Sequence, residues 1–152
     1  MSEGSKIAMF NVRIKKLNQD AIIPKYAHKG DAGLDLYSVE EKVLAAGEYA
    51  LISTGIAISI PQGYEAQVRP KSGLSANFGI SVLNTPGTVD SNYRGEIMVI
   101  LINFSRQSYK IEKGKKIAQM VFNKVEEAVF EEVSELDDTS RGAGGFGSTG
   151  LH

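Results

Sequence analysis

The stretch GIAISIPQGYEAQVR, residues 55–69, constrains the fold more than any other part of the chain. Ile56, Ile58 and Ile60 alternate with Ala57 and Ser59, and after Pro61-Gln62-Gly63 the alternation resumes, with Tyr64, Ala66 and Val68 set against Glu65, Gln67 and Arg69. A period of two puts each set on one face of a strand, and the Pro/Gly turn between the runs predicts a hairpin. FNVRI (10–14) alternates likewise, and EIMVILINF (96–104) is a near-continuous apolar run suited to a strand buried on both faces. KIAQMVF (116–122) and AVFEEV (128–133) are rich in strand formers. No amphipathic helix of three turns is present. The one helical candidate is SGLSANFG (72–79), with Ser72 as its cap and Gly79 as its end. Many short strands between Gly, Pro, Asn and Asp turns predict an all-β jelly roll, sandwich or barrel.

Strand-forming sequence stops at Val133, and neither SELDDTS nor RGAGGFGSTG (141–150) offers an apolar face that could dock on a core. Residues 1–133 are therefore expected to form the β-domain and residues 134–152 a flexible arm. At 152 residues one domain with a full core is expected. Seventeen basic and 18 acidic residues give a net charge of −1, which favours neither nucleic acid nor an anionic membrane as a bulk partner. The absence of Cys excludes disulfides, thiol nucleophiles and thiolate metal sites, and two His, His28 and His152, exclude a histidine-rich one. Any metal is expected to be hard and held by oxygens. Neither a signal peptide nor a membrane-spanning run is visible, so an intracellular, cytoplasmic protein is expected.

Five clusters exceed what packing requires: AGLDLYS (32–38), RPKSGLS (69–75), NTPGTVDSNYRGE (84–96), GKKIAQM (114–120) and the terminal glycine stretch. In RPKSGLS, Arg69 and Lys71 are cationic and Ser72-Gly73 open a short helix whose free N–H groups suit phosphate, although a capped strand-to-helix turn has the same look. The spacing is not that of a P-loop. GTVDSNYRGE reads as a second hairpin about Ser91–Gly95, with Asp90 and Tyr93 at root and tip; alone, each is an ordinary turn or surface residue. The last cluster has five glycines that let backbone close tightly on a ligand, Arg141 for phosphate, Phe146 for stacking on a flat ring, and Ser148 and Thr149 for oxyanions. A disordered linker is the alternative. An aromatic ring together with phosphate-binding groups suggests a nucleotide.

In this order and spacing, the five clusters resemble the five motifs of the homotrimeric deoxyuridine triphosphate pyrophosphatases, the dUTPases. RPKSGL, GTVDSNYRGE and RGAGGFGSTG carry most of the likeness, which runs from Ala32 to Gly150. The resemblance implies a distorted jelly-roll domain in a threefold trimer, with composite sites and exchange of the C-terminal arm. It implies attack of water on the α-phosphorus of dUTP, giving dUMP and pyrophosphate with Mg²⁺. Asp90 would be the general base, and Asp35 would hold a metal-bound water or brace the site, with Mg²⁺ held chiefly by triphosphate and water. Lys71, Ser72, Gly73 and Gln119 would contact phosphates. The family often has arginine where Lys71 stands, and lysine lacks the bidentate fork, so side-chain contact at 71 stays open. Asn84, Thr88, Val89 and the main chain at Met98 would frame uracil, and Tyr93 would lie against deoxyribose and block a 2′-hydroxyl. Phe146 would stack on uracil, while Arg141, Ser148, Thr149 and neighbouring amides such as that of Gly147 grip the γ-phosphate as a lid.

Two other readings compete. A dCTP deaminase shares this fold and needs an acid/base group beside the cytosine amino group, for which Glu96 is the nearest candidate. A non-enzymatic binding module would be marked by loss of Asp90 or of the arm motif, and both are retained.

Overall fold

Strand pairing is dictated by where apolar faces meet. In the computed structural model, residues 7–150 are described, so the ends of the expected β-domain and arm, residues 1–6 and 151–152, lie outside the described residues. In chain order the elements are β1 (Arg13–Lys16), β2 (Gly33–Tyr37), β3 (Lys42–Leu44), β4 (Tyr49–Ser59), β5 (Tyr64–Arg69), α1 (Ser72–Phe78), β6 (Ile80–Val82), β7 (Gly87–Val89), β8 (Glu96–Asn103), β9 (Tyr109–Ile111) and β10 (Lys116–Lys124). One four-stranded sheet runs β1-β4-β8-β6, a second runs β2-β10-β5-β7, and β3 pairs with β9; every pairing is antiparallel. Ile52, Ile56, Ile97, Val99 and Leu101 from the first sheet share one core with Leu36, Ala66, Val68, Ala118 and Met120 from the second. This is the expected all-β jelly-roll class.

Both expected hairpins are corrected. β4 and β5 lie in different sheets, and the Pro61–Gly63 turn, closed by the Tyr64 N–H on the Pro61 carbonyl at 3.2 Å, carries the chain between layers. The segment from Asp90 to Gly95 does the same between β7 and β8. Alternation specifies a buried face, not a partner. β5 finds its partners in β10 and β7, where Val68 faces Met120 and Gly87.

Other expectations shift with packing. β1 begins at Arg13 rather than at Phe10, because the Phe10 ring stacks on Tyr64 (4.2 Å between centroids) and meets Phe122 edge-on. In β4, Ala57 is buried along with Ile56 and Ile58, because β1 and β8 flank it at Lys15 and Glu96. In β8, burial on both faces holds only for Leu101–Asn103; Met98 is 37% exposed and Phe104 lies past the strand end at 70%. AVFEEV is not a strand. The chain leaves the sheet after Lys124, has no strand of its own beside it, and exposes Val129 and Phe130 almost fully. In α1, Gly79 ends the helix in the left-handed region as expected, with its N–H on the Leu74 and Ser75 carbonyls. Ser72 is not the cap: it is already helical, and Lys71, extended and without a side-chain capping bond, holds that position.

Gly55 fixes the middle of β4. The register with β8 slips between Ser53 and Ala57, and Gly55 (φ 71°) turns the strand there, its N–H donating to Glu96 Oε2 at 3.1 Å and its carbonyl accepting from Leu17 at 2.7 Å. A Cβ at this position would stand 3.0–3.1 Å from the side chains of Asn18, Ala21 and Val39. Gly55→Ala should therefore cost about 2 kcal/mol, from left-handed strain and overpacking together. Thermal unfolding followed by circular dichroism should show a melting point roughly 4–8 °C lower; an unchanged value would show that the bulge relaxes freely.

Candidate active site

A pocket of about 130 Å³ opens at the seam between the two sheets, where the crossing segment after β7 meets the start of β8. Asn84, Thr88, Val89 and Met98, expected to frame a base, and Tyr93, expected to lie against a deoxyribose, all line it. Gly87 lets two of its walls approach: a Cβ there would lie 3.2 Å from Asn84 Nδ2 and 3.3 Å from Val68 Cβ. Asp90 follows β7 at the edge of the pocket region and is exposed, its carbonyl accepting the Tyr93 N–H at 3.1 Å. Tyr93 donates its hydroxyl to the Glu96 carbonyl at 2.8 Å and lies against Gly95, where a Cβ would meet the phenol oxygen at 2.5 Å. The ring is thus held at one edge while 44% of the residue stays open to solvent.

Sequence reasoning missed two braces of this loop. Arg94 donates Nη1 to the carbonyls of Ser91 (2.6 Å) and Tyr93 (3.0 Å). Glu96 accepts from the Ser53 hydroxyl and the Gly55 N–H with the same carboxylate oxygen, which fastens the first residue of β8 to β4. A Glu one residue past a turn carries no local mark of such a tie. Its partners lie more than 40 positions away, and only the strand pairing joins them.

A second cluster lies on the sheet containing β2, β10 and β5. Gln119 stands opposite Asp35 on one side and Arg69 on the other. The Asp35 carboxylate pairs with Lys71 through Oδ1 and with Lys116 through Oδ2 at 3.3 Å, and its side chain is 14% exposed. Burial pushes this carboxyl up, but the hydrogen bond and charge of Lys71, then those of Lys116, outweigh it and hold the group below its ordinary value. A lowered carboxyl pKa stabilises the fold above the unfolded value and loses that contribution as pH falls through the folded one, so Asp35 is ionised at neutral pH. Gln119 donates Nε2 to the Pro70 carbonyl at 2.9 Å, anchoring the turn into α1. Ser72 and Gly73 are the first residues of that helix, where N–H groups have no intrahelical partner. Lys116 was not foreseen, because GKKIAQM does not say which of its two lysines turns toward Asp35.

The arm is not brought to either cluster. Its hydrogen bonds are local: Arg141 Nε donates to the Gly144 carbonyl (3.0 Å), the Gly142 N–H to Thr139 Oγ1 (3.0 Å) and the Ser148 N–H to the Gly145 carbonyl (3.1 Å). Phe146 is fully exposed, with φ 51°, and Gly147 and Thr149 lie in the same run of turns. A larger hollow of about 430 Å³ lies between the end of α1 and residues 105–109, and it holds none of the expected site residues. Chemistry, not volume, singles out the smaller pocket.

The model of the dUTPase family matches residues 19–150. A deoxyuridine 5'-triphosphate nucleotidohydrolase of Clostridioides difficile is 58% identical over 143 residues, covering 94% of this chain and 100% of that protein. One from Trichodesmium erythraeum is 56% identical over 139 residues, covering 91% and 98%. Among solved structures, a Staphylococcus bacteriophage 80alpha dUTPase with dUpNHpp superposes with a TM-score of 0.87 at 29% identity, over 94% of this chain and 100% of that one. A phage phi11 dUTPase of S. aureus, described with a structural Mg(II) ion, superposes at 0.79 with 26% identity, over 85% and 100%. With a family model spanning both clusters and relatives aligned almost end to end at more than half identity, this chain belongs to the dUTPase family.

Proposed function

We propose that the chain hydrolyses dUTP to dUMP and pyrophosphate, limiting uracil incorporation into DNA and supplying dUMP for thymidylate synthesis. The observation that carries this reading is the pocket, sized for one pyrimidine ring and walled by Asn84, Thr88, Val89, Tyr93 and Met98. A tolerant apolar pocket separates substrates differing by one methyl by only about 1–3 kcal/mol, so rejecting thymine requires a clash. The braced backbone between Gly87 and Glu96 supplies a wall that yields little, and Tyr93, held through Glu96, stands ready to oppose a ribose 2′-hydroxyl.

In the reaction a water oxygen bonds to the α-phosphorus, the bond from that phosphorus to the oxygen bridging the β-phosphate breaks, and pyrophosphate leaves. Asp90, exposed at the edge of the pocket region, takes the proton of the attacking water. Ser72 and Gly73 offer amides to the phosphates, Gln119 keeps their turn in place, and Lys71 supplies a cation at the same corner. Mg²⁺ would be carried chiefly by triphosphate oxygens and water, with Asp35 the carboxylate placed to hold such a water. When bound, Mg²⁺ neutralises triphosphate charge. Residues 134–152 act as the lid: Phe146 covers uracil while Arg141, Gly147, Ser148 and Thr149 hold the γ-phosphate, with 125–133 as the tether after β10.

A homotrimer with composite sites and exchanged arms suits this arrangement. On the outer face of the first sheet, Tyr49 and Leu51 lie opposite Ile102 and Ile100, with Leu83 alongside; Tyr49, Leu51 and Leu83 are 59%, 55% and 44% exposed, an apolar face that other copies of the chain would cover. The deaminase alternative is not favoured, because the Glu96 carboxylate is engaged by Ser53 and Gly55 rather than free to act on a base. No helix among the described residues is long and apolar enough to cross a membrane, and a cytoplasmic site of action fits a nucleotide substrate.

Asp90→Asn should lower pyrophosphate release from dUTP by roughly 10²–10⁴-fold with the fold intact; survival of activity would remove Asp90 as the base. Tyr93→Ala should narrow the ratio of kcat/KM for dUTP over UTP, and an unchanged ratio would sink its steric role. Truncation after Ser140 should leave the circular dichroism spectrum and assembly state unchanged while turnover collapses; wild-type turnover would end the lid assignment.

A further inference from the structure

We propose that Lys116 is a positioning residue of the phosphate site: by holding one oxygen of Asp35, it lets Lys71, which holds the other, leave for the incoming triphosphate. The inference rests on the phosphate-site roles given above to Lys71 and Asp35.

A break in the ladder sets up the arrangement. β10 pairs with β2 as Gln119 with Asp35, Ala118 with Leu36 and then Lys116 with Tyr37, so the register slips by one residue at Ile117. Without the slip, Ile117 would share the face of Asp35 and Gln119. With it, Ile117 and Ala118 are both buried in succession and Lys116 turns onto the Asp35 face, its Nζ 3.3 Å from Oδ2. The bulge is therefore what delivers a cation to this carboxylate.

Asp35 requires two partners because it is enclosed. A carboxylate 14% exposed that loses its sole cation is left as an uncompensated charge, which costs more than the ion pair itself contributes. Lys71, 27% exposed and at the turn into α1, is the partner nearest the free helix amides. Arg69, the other cation on this face, is held by Gln67 Oε1 through Nε (3.1 Å) and Nη2 (2.8 Å), so it is already committed. Lys116 alone is left to keep Asp35 paired once Lys71 moves to a phosphate oxygen.

The test titrates the imido analogue dUpNHpp calorimetrically into the full chain and into Lys116→Gln, Lys116→Arg, Asp35→Asn and the Asp35→Asn/Lys116→Gln double variant, with kcat, KM and melting points measured on the same set. Lys116→Gln should weaken analogue binding and raise KM roughly fivefold, as suits a half-exposed ion pair, with kcat changed by less than about twofold. Lys116→Arg should restore both. In the Asp35→Asn background Lys116→Gln should add nothing, because Lys71 is then already free. An equal loss in both backgrounds would overturn the proposal, since Lys116 would then act as a plain charge on the triphosphate. A lowered melting point with unchanged analogue affinity would also overturn it, as a purely structural role. If Asp35→Asn itself leaves binding and turnover untouched, the fault lies in the role given to Asp35, and the inference falls with it.

Discussion

The Glu96 carboxylate, gripping the Ser53 hydroxyl and the Gly55 amide, ties the first residue of β8 to the bulge in β4, and the pocket lined by Thr88, Tyr93, Glu96 and Met98 is built outward from that tie. One residue further, Thr54 donates its hydroxyl to the Ile97 carbonyl at 2.5 Å, so two successive residues of β8 are fastened across the slipped part of the ladder where regular pairing fails. Tyr93 hangs from the Glu96 carbonyl, and the loop behind it is strapped by Arg94. Under the proposed function, a pocket wall that is to reject one methyl group needs this stiffness, because a loop that yielded would admit it. Holding the backbone by buried or half-buried polar contacts at the foot of the loop leaves Asp90 and the tyrosine ring free to face a ligand.

The crossing of the chain between layers gives the second condition. Had the segment after β7 folded back as a hairpin within one sheet, its residues would stand on a sheet face with nothing opposite. It passes instead from the sheet of β5 to the sheet of β4, so Val89 and Ile97 enter the shared core from opposite sides and the turn between them is stretched over the seam. The same strand β5 that flanks β7 on one edge meets β10 on the other: Thr88, Gln67 and Val121 stand in one row across the three strands, and two residues along Arg69, Gln119 and Asp35 stand in another across β5, β10 and β2. The pocket and the Asp35 cluster thus both draw on the sheet of β2, β10, β5 and β7.

This division explains what was legible in the sequence. Strand positions could be read because alternation is a local property, and Ile56, Ile58 and Ile60 are buried as the pattern demands. Partners could not, since Val68 would satisfy its buried face against any apolar strand, and the hairpins inferred from Pro61-Gln62-Gly63 and from Ser91–Gly95 assumed that the nearest strand in sequence was nearest in space. AVFEEV has the composition of a strand and pairs with no strand among the described residues, so propensity alone left it exposed. The framing of the pocket by Asn84, Thr88, Val89, Tyr93 and Met98 was anticipated only through resemblance to a family. The ion pair of Lys116 and the tie of Glu96, which the sequence offered only as an acid/base candidate, were invisible because each meets its partner through a register slip, and a slip leaves no mark in composition.

Charge completes the picture, because a net value of −1 conceals a strong separation. Between Glu126 and Asp138 the chain carries Glu126, Glu127, Glu131, Glu132, Glu135, Asp137 and Asp138 with no basic residue, from the tether into the start of the arm. The corner about Asp35 gathers Arg69, Lys71 and Lys116. An exposed acidic tether is a ready competitor for such a corner, yet the ion pairs among the described residues use Asp20 and Asp35 instead. Asp35 is fixed on a strand and needs no chain ordering to pair with the lysines, whereas a tether carboxylate would have to surrender backbone freedom for each contact. The built-in carboxylate is thus the favoured partner of the lysines over weak, flexible competitors, and under the proposed function only a group with several charges, such as a triphosphate, would compete with it for Lys71.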